Sequence, residues 1–281
     1  MTVTETELAA LASSHDIIQV GMAADDIRRQ RHDLRTTFVR VADVTLAGAE
    51  APTWPSAAGE IRISGAPATR AGAVARIQQV ASSSRGVPVS GFSLADLEEL
   101  AGRESIPLRA LLEEFKGAGL ELIADAPFDR LKNARRAVEE VNISGLALAR
   151  LTIHQLPAAD VTALYKQIAA LQREVAVIRA FAPLPRQTNP AVPTTGYDDV
   201  KRVALARIVV DNVQSIQVDW SRYGPKLAQV ALTVGADDVD GVSADDDVSQ
   251  GPRRTSLEDI RRNIIAAGQQ PVERNGRFDI R

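Results

Sequence analysis

Apolar positions along this chain alternate between two spacings. Over the first residues, Leu8, Leu11, Ile17, Ile18, Met22 and Ile27 recur at helical spacing. Acids at Asp25 and Asp26 precede the bases Arg28, Arg29 and Arg31, an order that suits a helix dipole. The pattern then switches to short β-branched and aromatic runs. Strands are predicted at 36–44, 60–65, 87–91, 120–124, 146–153, 175–182, 215–220 and 239–242, with a final extended piece at 271–274. Helical patterns separate most of them, at 69–83, 94–102, 107–118, 130–141, 158–174, 197–212, 226–234 and 256–267. Residues 183–193, with Pro183, Pro185, Pro190 and Pro193, read as a loop.

Strands alternating with helices at this spacing predict parallel βαβ units. About eight of them point to an α/β fold of the (β/α) TIM-barrel type, complete or partial. A doubly wound open sheet is the runner-up. The expected organisation is one domain over 1–281: a helical extension at 1–35, the barrel at 36–245, and a C-terminal loop and helix at 246–281. One connection is unusual. Only about fifteen residues, rich in Ala, Gly and Pro, join the first two strands, near the ~12-residue minimum for a parallel crossover.

Composition narrows the chemistry. The 281 residues contain no cysteine, which removes disulfides, thiolate nucleophiles, thiolate zinc sites and Cys-ligated iron–sulfur clusters. The three histidines, His15, His32 and His154, are too scattered to suggest a three-histidine metal site. The 33 basic and 36 acidic residues nearly cancel, so no footprint for nucleic acid appears. No apolar run approaches the ~20 residues that span a bilayer, and the N-terminus lacks the pattern of a secretory signal. A cytoplasmic location, with no membrane contact, is the expectation. Neither GxGxxG nor GxxxxGK[ST] occurs.

The last third carries a resemblance. Thr194-Thr195-Gly196-Tyr197-Asp198-Asp199, Ala206–Asn212 (ARIVVDN), Ala228–Leu232 and Gly235–Gly241 (GADDVDG) form an ordered set. Upstream, Phe92-Ser93 with Asp96, the helix ending Lys116-Gly117-Ala118-Gly119-Leu120, His154 and Phe181-Ala182-Pro183-Leu184 fit the same set, as do Gly21–Asp25 and Thr37-Phe38-Val39. Together they resemble the radical S-adenosylmethionine (SAM) enzymes of the futalosine menaquinone pathway, aminofutalosine synthase most closely. In that family the first strand leads into a CxxxCxxC loop holding a four-iron cluster. Here it leads into Ala42-Asp43-Val44-Thr45-Leu46. The family's glycine-rich SAM turn corresponds to Glu121–Pro127, which has no glycine run. The resemblance therefore implies a cluster-free relative: no four-iron cluster is expected, and the missing glycines argue against SAM binding.

The candidate residues each carry a bland alternative. Asp237, Asp238 and Asp240 are expected as an acidic turn at a strand end, either a ligand site or a capping cluster. His154 is implied as a pocket residue. Asp96 is a family acid, and Ser93 reads as the cap of the helix it begins. Arg207 and Asp211, at i and i+4, read as a helix-face ion pair. Trp220 is expected at the barrel mouth. Trp54 lies on the short Pro-flanked connection, which leaves little room for the usual crossover helix, and is either a partner anchor or a plug for the gap left by that helix. The runs at 245–247 and 253–254 read as solvated surface. The favoured function is a non-catalytic radical SAM-like protein, an accessory subunit or hetero-oligomer partner of an active homologue in menaquinone biosynthesis. The alternatives are a nucleoside-type ligand-binding protein and a cluster-free enzyme using His154, Asp96, Asp237 and Asp240 as acid–base groups.

Overall fold

The computed structural model describes residues 4–48, 53–156, 161–187, 189–191, 194–246 and 256–281. Pro52, Ala158, Pro193, Asp247, Arg253 and Arg254 lie outside them. The strands are β1 (Arg35–Thr45), β2 (Glu60–Ser64), β3 (Val89–Ser93), β4 (Leu122–Pro127), β5 (Ala147–Leu148), β6 (Leu151–Gln155), β7 (Ala180–Gln187), β8 (Ser215–Asp219), β9 (Asp238–Ser243) and β10 (Gln270–Arg274). Every ladder between them is parallel, and β1 pairs with both β2 and β9, so the sheet closes. The two short pieces β5 and β6 occupy one position beside β4, which makes a closed eight-position (β/α) barrel. β10 adds to the first half of β1, from Arg35↔Gln270 to Val39↔Arg274, leaving the second half for β2.

The helices are α1 (Glu5–Ser13), α2 (Ile17–His32), α3 (Arg70–Ser83), α4 (Leu94–Arg103), α5 (Leu108–Gly117), α6 (Ala134–Ile143), α7 (Val161–Val175), α8 (Gly196–Val209), α9 (Trp220–Leu232) and α10 (Ser256–Ala266). Local chemistry sets many of their starts. Asp16, Asn133 and Asp219 each accept a backbone N–H of the first turn, and Thr195 forms a capping box with Asp198. The apolar stripes of these helices pack on the outward-facing Val, Ile and Leu of the strands in one continuous core. α9 contains a break at Gly224 (φ 78°) before Pro225, so its regular part starts where the sequence pattern places it.

The N-terminal extension is fastened to the outside of α8. Lys201 donates to the carbonyls of Ala12 and Ser14, while Arg31 and His32 reach the carbonyls of Val213 and Gln214. The close approach needs glycine. Gly235 has a left-handed backbone (φ 112°), and a Cβ there would stand 2.9 Å from the Cβ of Arg207 and 3.1 Å from that of Ala24.

Three expectations require correction. The seventh strand is Ala180–Gln187, not 175–182, and runs through Pro183 and Pro185. The ladder to β6 shifts register between Ala182 and Pro185, and a bulge of this kind tolerates residues that lack an N–H. Asp238 and Asp240 stand inside β9, and Asp237 immediately before it; they are not an acidic turn. Arg207 does not pair with Asp211, which lies beyond the end of α8. It is fully buried and bonds Asp237 and the carbonyl of Gly235.

The lower barrel interior is ionic. Asp238, fully buried, accepts both Nε and Nη2 of Arg274 at 2.6 Å, Gln217 at 2.6 Å and Thr37 at 2.5 Å. Arg274 in turn stacks 3.9 Å from the ring centre of Phe278. Removing one partner of such a pair leaves an uncompensated buried charge. Arg274→Ala is therefore expected to cost about 3–5 kcal/mol in urea-unfolding experiments. A loss below about 1 kcal/mol, the size of an exposed pair, would contradict this assignment.

Candidate functional site: the barrel mouth

The C-terminal strand ends surround a cavity of about 440 Å³. Its walls take Asp43 from β1, Arg62 and Ser64 from β2, Phe92 and Ser93 from β3, Asp125 from β4, His154 from β6, Arg186 from β7 and Asp219 from β8, with Arg150 from the β5–β6 step. The volume is that of a small-molecule site, and the position is the one at which barrels carry their sites. The lining is strongly polar: Arg62, Arg130, Arg150, Arg186 and Arg222 face Asp43, Asp96, Asp125 and Asp219.

The floor is built around Asp240, which is fully buried. Its two oxygens accept Nη2 and Nη1 of Arg62 at 2.8 and 3.0 Å, and Nη1 of Arg150 adds a third bond. Arg62 also donates through Nε to Glu60 at 2.9 Å. Burial opposes the charge on Asp240, but the guanidiniums of Arg150 and Arg62 outweigh it and hold the carboxyl well below its usual range. Asp219 follows the same logic. Burial and the neighbouring Asp240 push it up, while Arg186 at 2.7 Å and Arg150 bring it below the ordinary value. Burial pushes Arg150 down, assisted by the nearby Arg62 charge. Gly241 keeps this wall compact: at its φ of 71°, a Cβ would press to 3.0 Å against both Asp219 and Ser221.

The candidate residues separate into groups. His154 and Asp96 line the mouth. Asp96 is held by Arg130 at 3.1 Å, yet burial raises its carboxyl above the usual value. The backbone N–H of His154 donates to Asp129 at 2.7 Å. Asp240 lies beneath them, fixed as an anion. Asp237 sits at the opposite end of β9, bonded to Arg207, with His32 at 3.4 Å. The four proposed acid–base groups therefore do not converge on one pocket. Ser93 begins α4 but makes no side-chain cap bond, contrary to the capping expectation. Trp220 packs partly buried against the core and does not line the mouth. Trp54 is half-buried, and its indole N–H donates to Ser83 at the end of α3, so it is turned inward and does not project as an anchor.

Among the described residues, the exposed large apolar side chains lie elsewhere than the short β1–β2 connection. Ile18 (69% exposed), Met22 (64%), Tyr197 and Val230 border a groove of about 690 Å³ between α2, α8 and α9. The arginines at the mouth escaped the sequence reading. A lone arginine at mid-strand carries no signal until the barrel closes and brings its partner from another strand.

Comparison with known proteins fits this geometry. Residues 184–281 match the family model of the CofH/MqnC C-terminal region. Over 224 residues the chain is 28% identical to aminodeoxyfutalosine synthase of Thermus thermophilus, covering 69% of this chain and 60% of that one. It is 39% identical over 92 residues to the enzyme of the same name from Streptomyces coelicolor, covering 31% and 24%. A third relative is the 5-amino-6-(D-ribitylamino)uracil–L-tyrosine 4-hydroxyphenyl transferase of Archaeoglobus fulgidus, 33% identical over 125 residues, 40% of this chain and 36% of that one. The matches span less than two thirds of each of these relatives. Among solved structures, methylornithine synthase (PylB) superposes with a TM-score of 0.66 at 11% identity, covering 96% of this chain and 94% of that one. The [FeFe]-hydrogenase maturase HydG gives 0.64 at 12% identity, covering 96% and 73%.

The class is thus a TIM barrel, and the solved structures it superposes on share that fold. The chain is similar to aminodeoxyfutalosine synthases over much of its length and to the CofH/MqnC C-terminal region over its last third, and it has no cysteine. A thiolate-held iron–sulfur cluster does not fit the residues present. There are no thiolates, and among the described residues no group of three His, Asp or Glu stands close enough to hold a metal ion. No described helix is long and apolar enough to cross a membrane.

The carboxyls of Asp219 and Asp240 give a pH prediction. In the unfolded chain they take up protons near pH 4, and in the folded protein only at lower pH. The stability they contribute is full above that range and is lost as the pH falls through it. The urea midpoint is expected to drop between about pH 5 and 3, and Asp219→Asn to make that drop shallower. An unchanged slope in the variant would show that Asp219 is not held in this way.

Proposed function

We propose that this chain is a non-catalytic radical SAM-like protein of menaquinone biosynthesis, an accessory subunit to an active relative, with its barrel mouth kept as a ligand site. The donor set carries this reading. The family's radical chemistry starts at a cluster bound by thiolates, and the chain supplies none. The acid–base alternative is weakened by geometry, because Asp240 is held ionised between two arginines and Asp237 lies at the far end of the barrel. A group that stays ionised across the working range does not shuttle protons. A completed barrel, a polar cavity of small-molecule size and an ordered ionic floor support ligand binding without chemistry. The groove between α2, α8 and α9, with Ile18 and Met22 exposed, offers the apolar surface that a partner subunit would cover.

The test has two arms. After anaerobic incubation with ferrous iron and sulfide, the protein is expected to retain no cluster absorbance and to leave added SAM uncleaved. Co-expression with a cysteine-bearing homologue from the same cell is expected to yield a stoichiometric complex, which Met22→Lys weakens about tenfold or more. Cluster uptake with SAM cleavage would refute the non-catalytic assignment. Absence of a complex, or a complex indifferent to Met22→Lys, would refute the partner role or its placement on this groove.

A further inference from the structure

The barrel wall is not laced along its whole height. Among the described residues, the ladder between β7 and β8 holds only at Ala180↔Ser215 and Phe181↔Ile216. Above that point β7 continues along β6 to Gln155↔Gln187, and β8 continues along β9 to Asp219↔Asp240. Pro183 and Pro185 have no N–H, so the upper half of β7 lacks donors that a ladder to β8 would use. Three side-chain bonds take the ladder's place. Each joins β7 to the end of β8 or to the turn that follows it. Arg186 donates to Asp219 at 2.7 Å, Arg222 donates to the carbonyl of Arg186 at 3.0 Å, and the Tyr223 hydroxyl donates to the carbonyl of Pro185 at 2.5 Å.

The turn, Trp220 to Tyr223, is a unit of its own. Asp219 closes it from below, accepting the Ser221 hydroxyl at 2.8 Å and the Arg222 N–H at 3.1 Å. Gly224 then leaves helical geometry (φ 78°, ψ 168°), and the regular part of α9 starts beyond it. Only glycine adopts that backbone without strain. A Cβ at Gly224 would meet nothing within 4 Å, so what glycine supplies there is conformational freedom and not space. The turn therefore lies between an unlaced seam on one side and a hinge on the other. Two of its residues, Ser221 and Arg222, line the mouth cavity.

We propose that the Trp220–Tyr223 turn is a gate in the side of the barrel. It pivots at Gly224, lets go of Pro185 and Arg186, and opens the seam between the upper halves of β7 and β8 into the mouth. A few separate hydrogen bonds hold the seam, each worth little net, so it opens far more often than a continuous ladder unzips. The use of the seam as a ligand entrance rests on the ligand-site part of the proposed function. The opening of the turn does not.

The chain has no cysteine, so one introduced thiol reports its own burial without interference. Val218 and Val239 are buried cross-strand neighbours, the first on the seam edge and the second one strand further in. Cysteine is a small apolar replacement at either place. Val218→Cys and Val239→Cys, each in the full-length chain, are to be labelled with iodoacetamide under native conditions. Val218→Cys is expected to react at least about tenfold faster than Val239→Cys. Adding Tyr223→Phe, which removes one bond of the latch, should speed Val218→Cys several-fold and leave Val239→Cys unchanged. Gly224→Ala, which strains the latched backbone without a clash, should do the same more strongly. Trp220 rides on the turn and gives a second readout. In Trp54→Phe it is the sole tryptophan, and its quenching by acrylamide should rise with Tyr223→Phe. Equal labelling of the two thiols would overturn the gate. So would an acceleration shared equally by both thiols, or Trp220 quenching indifferent to Tyr223→Phe. None of these readouts needs a ligand or a partner, so they leave the proposed function to its own test.

Discussion

The bond network around Asp240 holds the barrel's centre together. A carboxylate stripped of water is strongly unfavourable unless it is fully paired. Here Arg62 from β2 and Arg150 from the β5–β6 step arrive from opposite sides of the closed sheet and satisfy it. Neither arginine is near Asp240 in sequence, so the pairing exists only when β1 meets β9 and the cylinder closes. The same network places Arg150 at the base of the mouth and tunes Asp219 through their shared field.

Below this layer Arg274, Asp238, Gln217 and Thr37 form a second polar stratum. It ties the C-terminal strand β10 to the barrel floor, so the last residues of the chain contribute to the core. Barrel interiors are more often filled by branched apolar side chains. In this one, ion pairs occupy the axis and the apolar mass lies between strands and helices. The chain has no thiolate donor, yet the strand ends frame a cavity lined by charged side chains. A mouth of that kind is suited to recognition.

Much of the architecture was legible in the chain. Period changes located the eight barrel positions and nearly all of the helices, because outward-facing strand residues and helix stripes pack on each other and must be apolar. What the sequence hid was charge facing inward. Asp238 and Asp240 alternate with Val239 as a strand requires, but acids between glycines and aspartates read as a turn when their partners are out of sight. Arg207 showed a nearby acid at i+4, whereas the true partner, Asp237, stands 30 residues away. The prolines of β7 concealed a strand that a register shift tolerates. In the site, His154 and Asp96 were found through family resemblance, while Arg150 and Arg186 carried no local pattern. Trp54 was marked as unusual by its short connection, and its inward hydrogen bond to Ser83 required the folded α3.

The proposed function requires that the barrel bind a small-molecule ligand and hold no iron–sulfur cluster. Native mass spectrometry of the protein purified gently from its own cells tests both halves at once. The proposed function predicts a mass equal to the chain, alone or with a partner subunit, plus a small-molecule ligand, and no added iron or sulfide. A mass increment of an iron–sulfur cluster on the isolated chain, or a chain that carries no small molecule, would contradict it.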